Sequence, residues 1–94
     1  MSDFNFSKCP LCDASSPSER CGGGNIYFYH CSTCTDYFIS RSAAKFINKN
    51  EPHRKGVLSK RAATFKNKKE ILAITQDGPA ILQEGVPRDK YHCV

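Results

Sequence analysis

The chain has no tryptophan, and its aromatic residues are six phenylalanines and four tyrosines. No stretch approaches the roughly 18 apolar residues of a membrane span, and Met1 to Lys8 is polar and mixed, without the apolar centre of a secretion signal. The expected location is therefore the cytoplasm, with no membrane partner. Thiols stay reduced there, and paired cysteines favour a metal over a disulfide. The acidic residues are scattered, with no paired carboxylates at a recognisable spacing and no nucleophile beside a base. Gly22-Gly23-Gly24 does not lead from a strand into a helix and is not followed by Lys-Ser or Lys-Thr, so it is not a phosphate-binding loop. These absences point away from an enzyme and from a small-molecule substrate. Internal repeats and low-complexity segments are also lacking.

Cysteine, by contrast, is present in an ordered pattern. Cys9-Pro10-Leu11-Cys12 is answered after eighteen intervening residues by Cys31-Ser32-Thr33-Cys34. Two residues between cysteines let the chain fold as a knuckle with both sulfurs pointing the same way, and Pro10 stiffens the first knuckle by fixing its own φ. One Cys-x-x-Cys alone is also a redox motif; two at this distance read as a zinc site. The expectation is one structural Zn²⁺ held by Cys9, Cys12, Cys31 and Cys34, with a disulfide framework as the competing reading. Four protein ligands leave no position for water or substrate, so such an ion stabilises and does not catalyse. Cys21 reads as a buried filler more than as a fifth ligand. His30, one residue before a ligand on an alternating strand, faces away from the metal and toward solvent. His53 belongs with its basic neighbours, and His92-Cys93 with a disordered chain end.

In chain order, residues 13–20 and Gly22-Gly23-Gly24-Asn25 are turn chemistry. Ile26-Tyr27-Phe28-Tyr29-His30 is the clearest strand, with Asp36-Tyr37-Phe38-Ile39 as its return. Cys9-x-x-Cys12, a strand ending in Tyr29-x-Cys31-x-x-Cys34, then Tyr37-x-Ile39-Ser40 and a helix from Ala43 together resemble the small zinc ribbons common in bacterial and phage proteins. The resemblance covers residues 7–50, about half the chain, and is specific for the metal-binding fold but not for function. Such ribbons often begin nucleic-acid-associated or defence-related proteins. Ribbon knuckles usually carry glycine just after the second cysteine. Here Asp13 stands at one such position and Thr35 at the other, and Thr35 tolerates a positive φ poorly, so an irregular second knuckle is expected.

Ser40 or Ser42 caps a predicted helix over 43–48, with Ala43, Phe46 and Ile47 as its apolar face. Pro52 ends it. A second helix is predicted from Gly56 or Val57 to Phe65, with Leu58, Ala62 and Phe65 on one face. The run 70–75 fits either a buried strand or a helical turn; Gln76-Asp77-Gly78-Pro79 is a turn, and the adopted reading is a hairpin completed by residues 80–83. The fold class expected is small α+β: an N-terminal zinc ribbon, two short helices and a C-terminal β-hairpin. Residues 1–50 form the ribbon with the first helix and residues 51–94 the basic helix and hairpin, packed as one small domain.

The net charge of +5 hides its distribution. Residues 1–40 carry two basic and four acidic groups, residues 41–69 ten and one, and residues 70–94 two and four. The ten are Arg41, Lys45, Lys49, Arg54, Lys55, Lys60, Arg61, Lys66, Lys68 and Lys69. Cations on helices neutralise phosphates, so the leading expectation is a zinc module that contacts DNA or RNA through this segment. Tyr27, Tyr29 or Tyr37 on the ribbon would add stacking against bases. The alternative is a small phage-type or accessory protein that binds a larger protein, such as a nucleic-acid-processing or defence complex, and inhibits or recruits it.

Overall fold

The computed structural model describes residues 8–66 and 68–91. Strand β1 (Ser18–Cys21) turns through three glycines into β2 (Ile26–Cys31), and β2 turns through the second knuckle into β3 (Thr35–Ser40). Gly22, Gly23 and Gly24 all have positive φ, at 55°, 75° and 93°. A side chain would cost roughly 1–2 kcal/mol at each such position. Ser40 ends β3 and caps helix α1 (Arg41–Asn50), its Oγ accepting from the Ala43 N–H at 3.1 Å. Glu51, preceding Pro52, leaves helical geometry, and helix α2 (Arg54–Ala63) follows. Strands β4 (Glu70–Asp77) and β5 (Ala80–Pro87) are joined at Gly78-Pro79. Both helices start earlier than their apolar faces suggest. Phe65 lies past the end of α2 yet still packs on the core.

The expected architecture, a zinc ribbon followed by two helices and a separate hairpin, is not what forms. All five strands make one mixed sheet in the order β1-β2-β3-β4-β5. Neighbours are antiparallel except β3 and β4, which run parallel with Tyr37, Phe38 and Ile39 opposite Leu72, Ala73 and Ile74. Parallel neighbours need a crossover, and α1 and α2 supply it. The physical reason lies in the apolar run of β4. Ile71, Leu72, Ala73 and Ile74 are all at most 1% exposed. Four apolar residues in succession suit a strand covered on both faces, the usual state of a parallel strand, and not a hairpin with one wet face. Pairing also gives the outer edge of β3 partners for its backbone N–H and C=O groups.

Alternation along the strands divides the interior in two. Tyr27, Tyr29, Tyr37, Ile39, Leu72 and Ile74 face the helices and meet Ala43, Ala44, Ile47, Leu58 and Ala62. Ile26, Phe38, Ile71, Ala73 and Val86 face the other way, with Cys21, and are covered in part by Phe28 and Tyr91. Tyr91 meets Phe38 edge-on at 4.9 Å between ring centroids. The knuckle cysteines belong to the helix-side core, so the site below is a corner of that core and not an appendage.

Candidate metal centre

The first knuckle is closed by backbone. The Asp13 N–H donates to the Cys9 carbonyl and the Cys9 N–H to the Ala14 carbonyl, both at 2.8 Å. The second knuckle joins β2 to β3, where Cys31 pairs with Thr35 and the Cys34 N–H donates to Cys31 Sγ at 3.3 Å. Asp13 and Thr35 adopt φ of 63° and 68°. The second knuckle thus takes the left-handed turn despite its β-branched residue, and Thr35 Oγ1 donates to the Ala62 carbonyl at 3.1 Å. That bond, with the strand pairing, holds a conformation threonine otherwise avoids.

The two knuckles bring four sulfurs within 4.8 Å of one another. Cys9 Sγ lies 3.7 Å from Cys34 Sγ, and Cys12 Sγ lies 3.4 Å from Cys31 Sγ. A tetrahedron with Zn–S bonds of about 2.3 Å has edges of about 3.8 Å, whereas a disulfide brings its sulfurs to about 2.05 Å. The spacing and the all-sulfur donor set fit a single zinc ion, and Cys9, Cys12, Cys31 and Cys34 can hold it. All four are free thiols.

Electrostatics supports the same assignment. Burial pushes the Cys9 thiol up to about 11, the Tyr37 hydroxyl at 3.1 Å offsetting only part of the cost. Burial likewise raises Cys34, although the Ser59 hydroxyl lies 2.9 Å from its sulfur. Burial also opposes ionisation of Cys31, but hydrogen bonds from the Cys34 N–H, Ser16, the Thr33 N–H and Cys12 outweigh it and bring that thiol down to about 6. Several thiolates in one buried corner repel each other and lack solvation; a divalent cation removes both penalties. Tyr29 and Tyr37 are raised by burial and by the neighbouring Cys9, so both hydroxyls stay neutral beside the sulfurs.

The other residues singled out in the sequence fall in separate places. Cys21 is fully buried on the opposite core and is disulfide-bonded, which removes it from the ligand set. His30 faces away from the sulfurs, where Nε2 meets Glu19 Oε2 at 2.8 Å and Nδ1 meets Asp36 Oδ1 at 3.3 Å. Arg88 extends this surface chain to Asp36 Oδ2 at 2.5 Å. His53 is exposed at the start of α2, and His92 and Cys93 lie outside the described residues. Tyr27, Tyr29 and Tyr37 are 4%, 0% and 0% exposed, which corrects their expected role as stacking platforms. They are core because alternation turns them toward the helices.

The ten cations do not form one patch. Arg41 and Lys45 border an open concavity with Asn25, Ser40 and Ser42, at the end of β3. Lys68 and Lys69 border another with Phe65, Glu70 and Pro87. The register places Glu70 level with Thr35, so Lys69 sits beside the second knuckle, about 20 Å along the sheet from Ser40. Lys60 and Arg61 are exposed on the last turn of α2, near the same knuckle, and Lys66 is exposed just beyond. Arg54 is paired with Glu51 at 3.0 Å, whereas Lys55 donates to the neutral Asn48 Oδ1 at 2.8 Å and keeps its charge. Missed by sequence reasoning were Ser59 and Tyr37 beside the sulfurs. Neither has a motif signal, since both meet the cysteines only through the fold.

A mixed sheet with a buried four-cysteine corner defines a metal-binding module. No protein family, curated protein or solved structure matches the chain. No helix among the described residues is long and apolar enough to cross a membrane.

Proposed function

We propose that the chain is a nucleic-acid-binding module with a structural metal and no chemistry of its own. The observation that carries this reading is the excess of ten basic residues over one acidic in residues 41–69, five of which gather toward the metal end of the sheet. Lys60, Arg61, Lys66, Lys68 and Lys69 are all exposed there, and cations on that footing attract phosphates by counterion release. The buried tyrosines leave phosphate contact, not base stacking, as the main source of affinity. The binding is therefore expected to be salt-sensitive and weakly selective for sequence.

Fluorescence anisotropy on labelled single-stranded RNA, single-stranded DNA and duplex DNA at several salt concentrations tests this. Neutralising five phosphates of a duplex gives a slope of log Kobs against log[salt] of about −4.5. Replacing Lys60 and Arg61 together by alanine flattens the slope by about 2, while replacing Arg41 and Lys45 leaves it nearly unchanged. No binding at low salt, or equal losses from both pairs, refutes the proposed surface.

A further inference from the structure

Helix α2 touches the metal site directly. Ser59 Oγ lies 2.9 Å from Cys34 Sγ, across 25 residues of sequence. The next residue of the knuckle, Thr35, donates to the carbonyl of Ala62, one turn further along α2, at 3.1 Å. Two successive knuckle residues are thus tied to two successive turns of a single helix. Cys34 has no exposure to solvent, and Leu58 and Ala62, which flank the contact, are 1% and 0% exposed. Ser59 itself is half-buried, so it reaches the sulfur from the partly exposed side of the helix.

We propose that Ser59 is a positioning residue for the metal site, and that metal occupancy and the seating of α2 are coupled through it. Four thiolates around a divalent cation carry a net charge of −2, in a corner where Cys9 and Cys34 are fully buried. That charge is distributed onto donors that reach the sulfurs, among them the Ser59, Tyr37 and Ser16 hydroxyls and the Cys34 and Thr33 N–H groups. Tyr37 belongs to the sheet and stays in place through β-pairing. Ser59 belongs to the crossover, so it is the donor whose position depends on the helix. Ser59 Oγ faces a fully buried sulfur of the group that the cation would draw together. A hydrogen bond to a charged acceptor is roughly twice as strong as one to a neutral acceptor, so the contact is strongest with the site filled. Coupling of this kind is reciprocal: metal binding strengthens the seating of α2 by the same factor by which a seated α2 strengthens metal binding. Because Lys60 and Arg61 follow Ser59 in the last turn, the metal also fixes where those cations sit.

The test uses the full chain with Co²⁺ and Zn²⁺. Removing a hydrogen bond to a metal-bound thiolate raises the sulfur lone-pair energy, so S59A shifts the sulfur-to-cobalt charge-transfer band to longer wavelength. Competition with a chromophoric chelator reads zinc affinity in parallel, and S59A loses about tenfold, the usual scale for such a partner. S59T keeps the hydroxyl and restores both the band and the affinity. In the unaltered chain, chelation lowers amide-exchange protection in α2 more than in β4 and β5, a readout that does not depend on any variant folding. An unshifted band in S59A, a loss that threonine fails to restore, or α2 protection indifferent to chelation overturns the proposal.

Discussion

Thr35 offers a test in which two opposing terms are separable. Its φ of 68° is a left-handed conformation that costs a β-branched residue roughly 1–2 kcal/mol. Against that, its hydroxyl donates to the Ala62 carbonyl at 3.1 Å, a bond worth about 1 kcal/mol net. The carbonyl is not orphaned when the hydroxyl is lost, because the Phe65 N–H also donates to it at 3.1 Å, so no large desolvation penalty is added. T35A removes the bond and keeps the strained backbone, and destabilises the protein by about 1 kcal/mol. T35G removes the bond and the strain together. Relief of roughly 1–2 kcal/mol, less about 0.5–1 kcal/mol for the greater freedom of glycine in the unfolded chain, recovers about 0.75 kcal/mol at mid-range and makes T35G more stable than T35A by that amount. Urea unfolding at one fixed free-zinc concentration measures both, since zinc binds the folded chain and its level shifts apparent stability. Equal destabilisation in T35A and T35G refutes the strain. A T35A variant as stable as the parent refutes the value assigned to the Thr35–Ala62 bond.

Metal binding at pH 7 displaces protons from Cys9, whose thiol is raised to about 11, and from Cys34, raised by burial, but little from Cys31 at about 6. Calorimetry in buffers of different ionisation enthalpy counts the released protons, and affinity increases as pH rises from 6 toward 9, as protons compete less for the sulfurs. The sign for the metal-free chain is the reverse at Cys9. A raised thiol contributes its stability in full below its unfolded value of 9.0 and loses it as pH climbs through about 11. Chelation should free residues 8–16 first, because the first knuckle meets the sheet side of the site mainly through its cysteines and Leu11, while β3 and β4 keep their pairing and their two cores. Amide exchange that collapses uniformly over the whole chain would contradict that order.

The cysteine spacing was readable because metal ligation depends on local chain geometry. Two residues between sulfurs make a knuckle wherever the chain goes next. The β2 strand, the Ser40 cap and the apolar faces around Ala43, Ile47, Leu58 and Ala62 were readable for the same reason, being periodic or short-range signals. The fold class was not. Residues 70–77 carry the same apolar run whether they pair only with residues 80–87 or also with β3, and sequence has no marker for a parallel partner across two helices. The stacking role expected of the tyrosines failed on the same point, because a strand's wet face is identified only by what covers its other face. The basic segment looked continuous because charges were counted along the chain. In space, the crossover carries Arg41 and Lys69 to opposite ends of the sheet.

The sequence by itself determined two knuckles whose four thiols could hold one metal ion, since nearest-neighbour geometry within each Cys-x-x-Cys leaves its two sulfurs little choice. Tertiary structure alone decided that this corner is buried, that Tyr37 and Ser59 attend it, and that α2 is tied to it. Those contacts span 28 and 25 residues and arise only when a parallel β4 draws the crossover helices down onto the sheet.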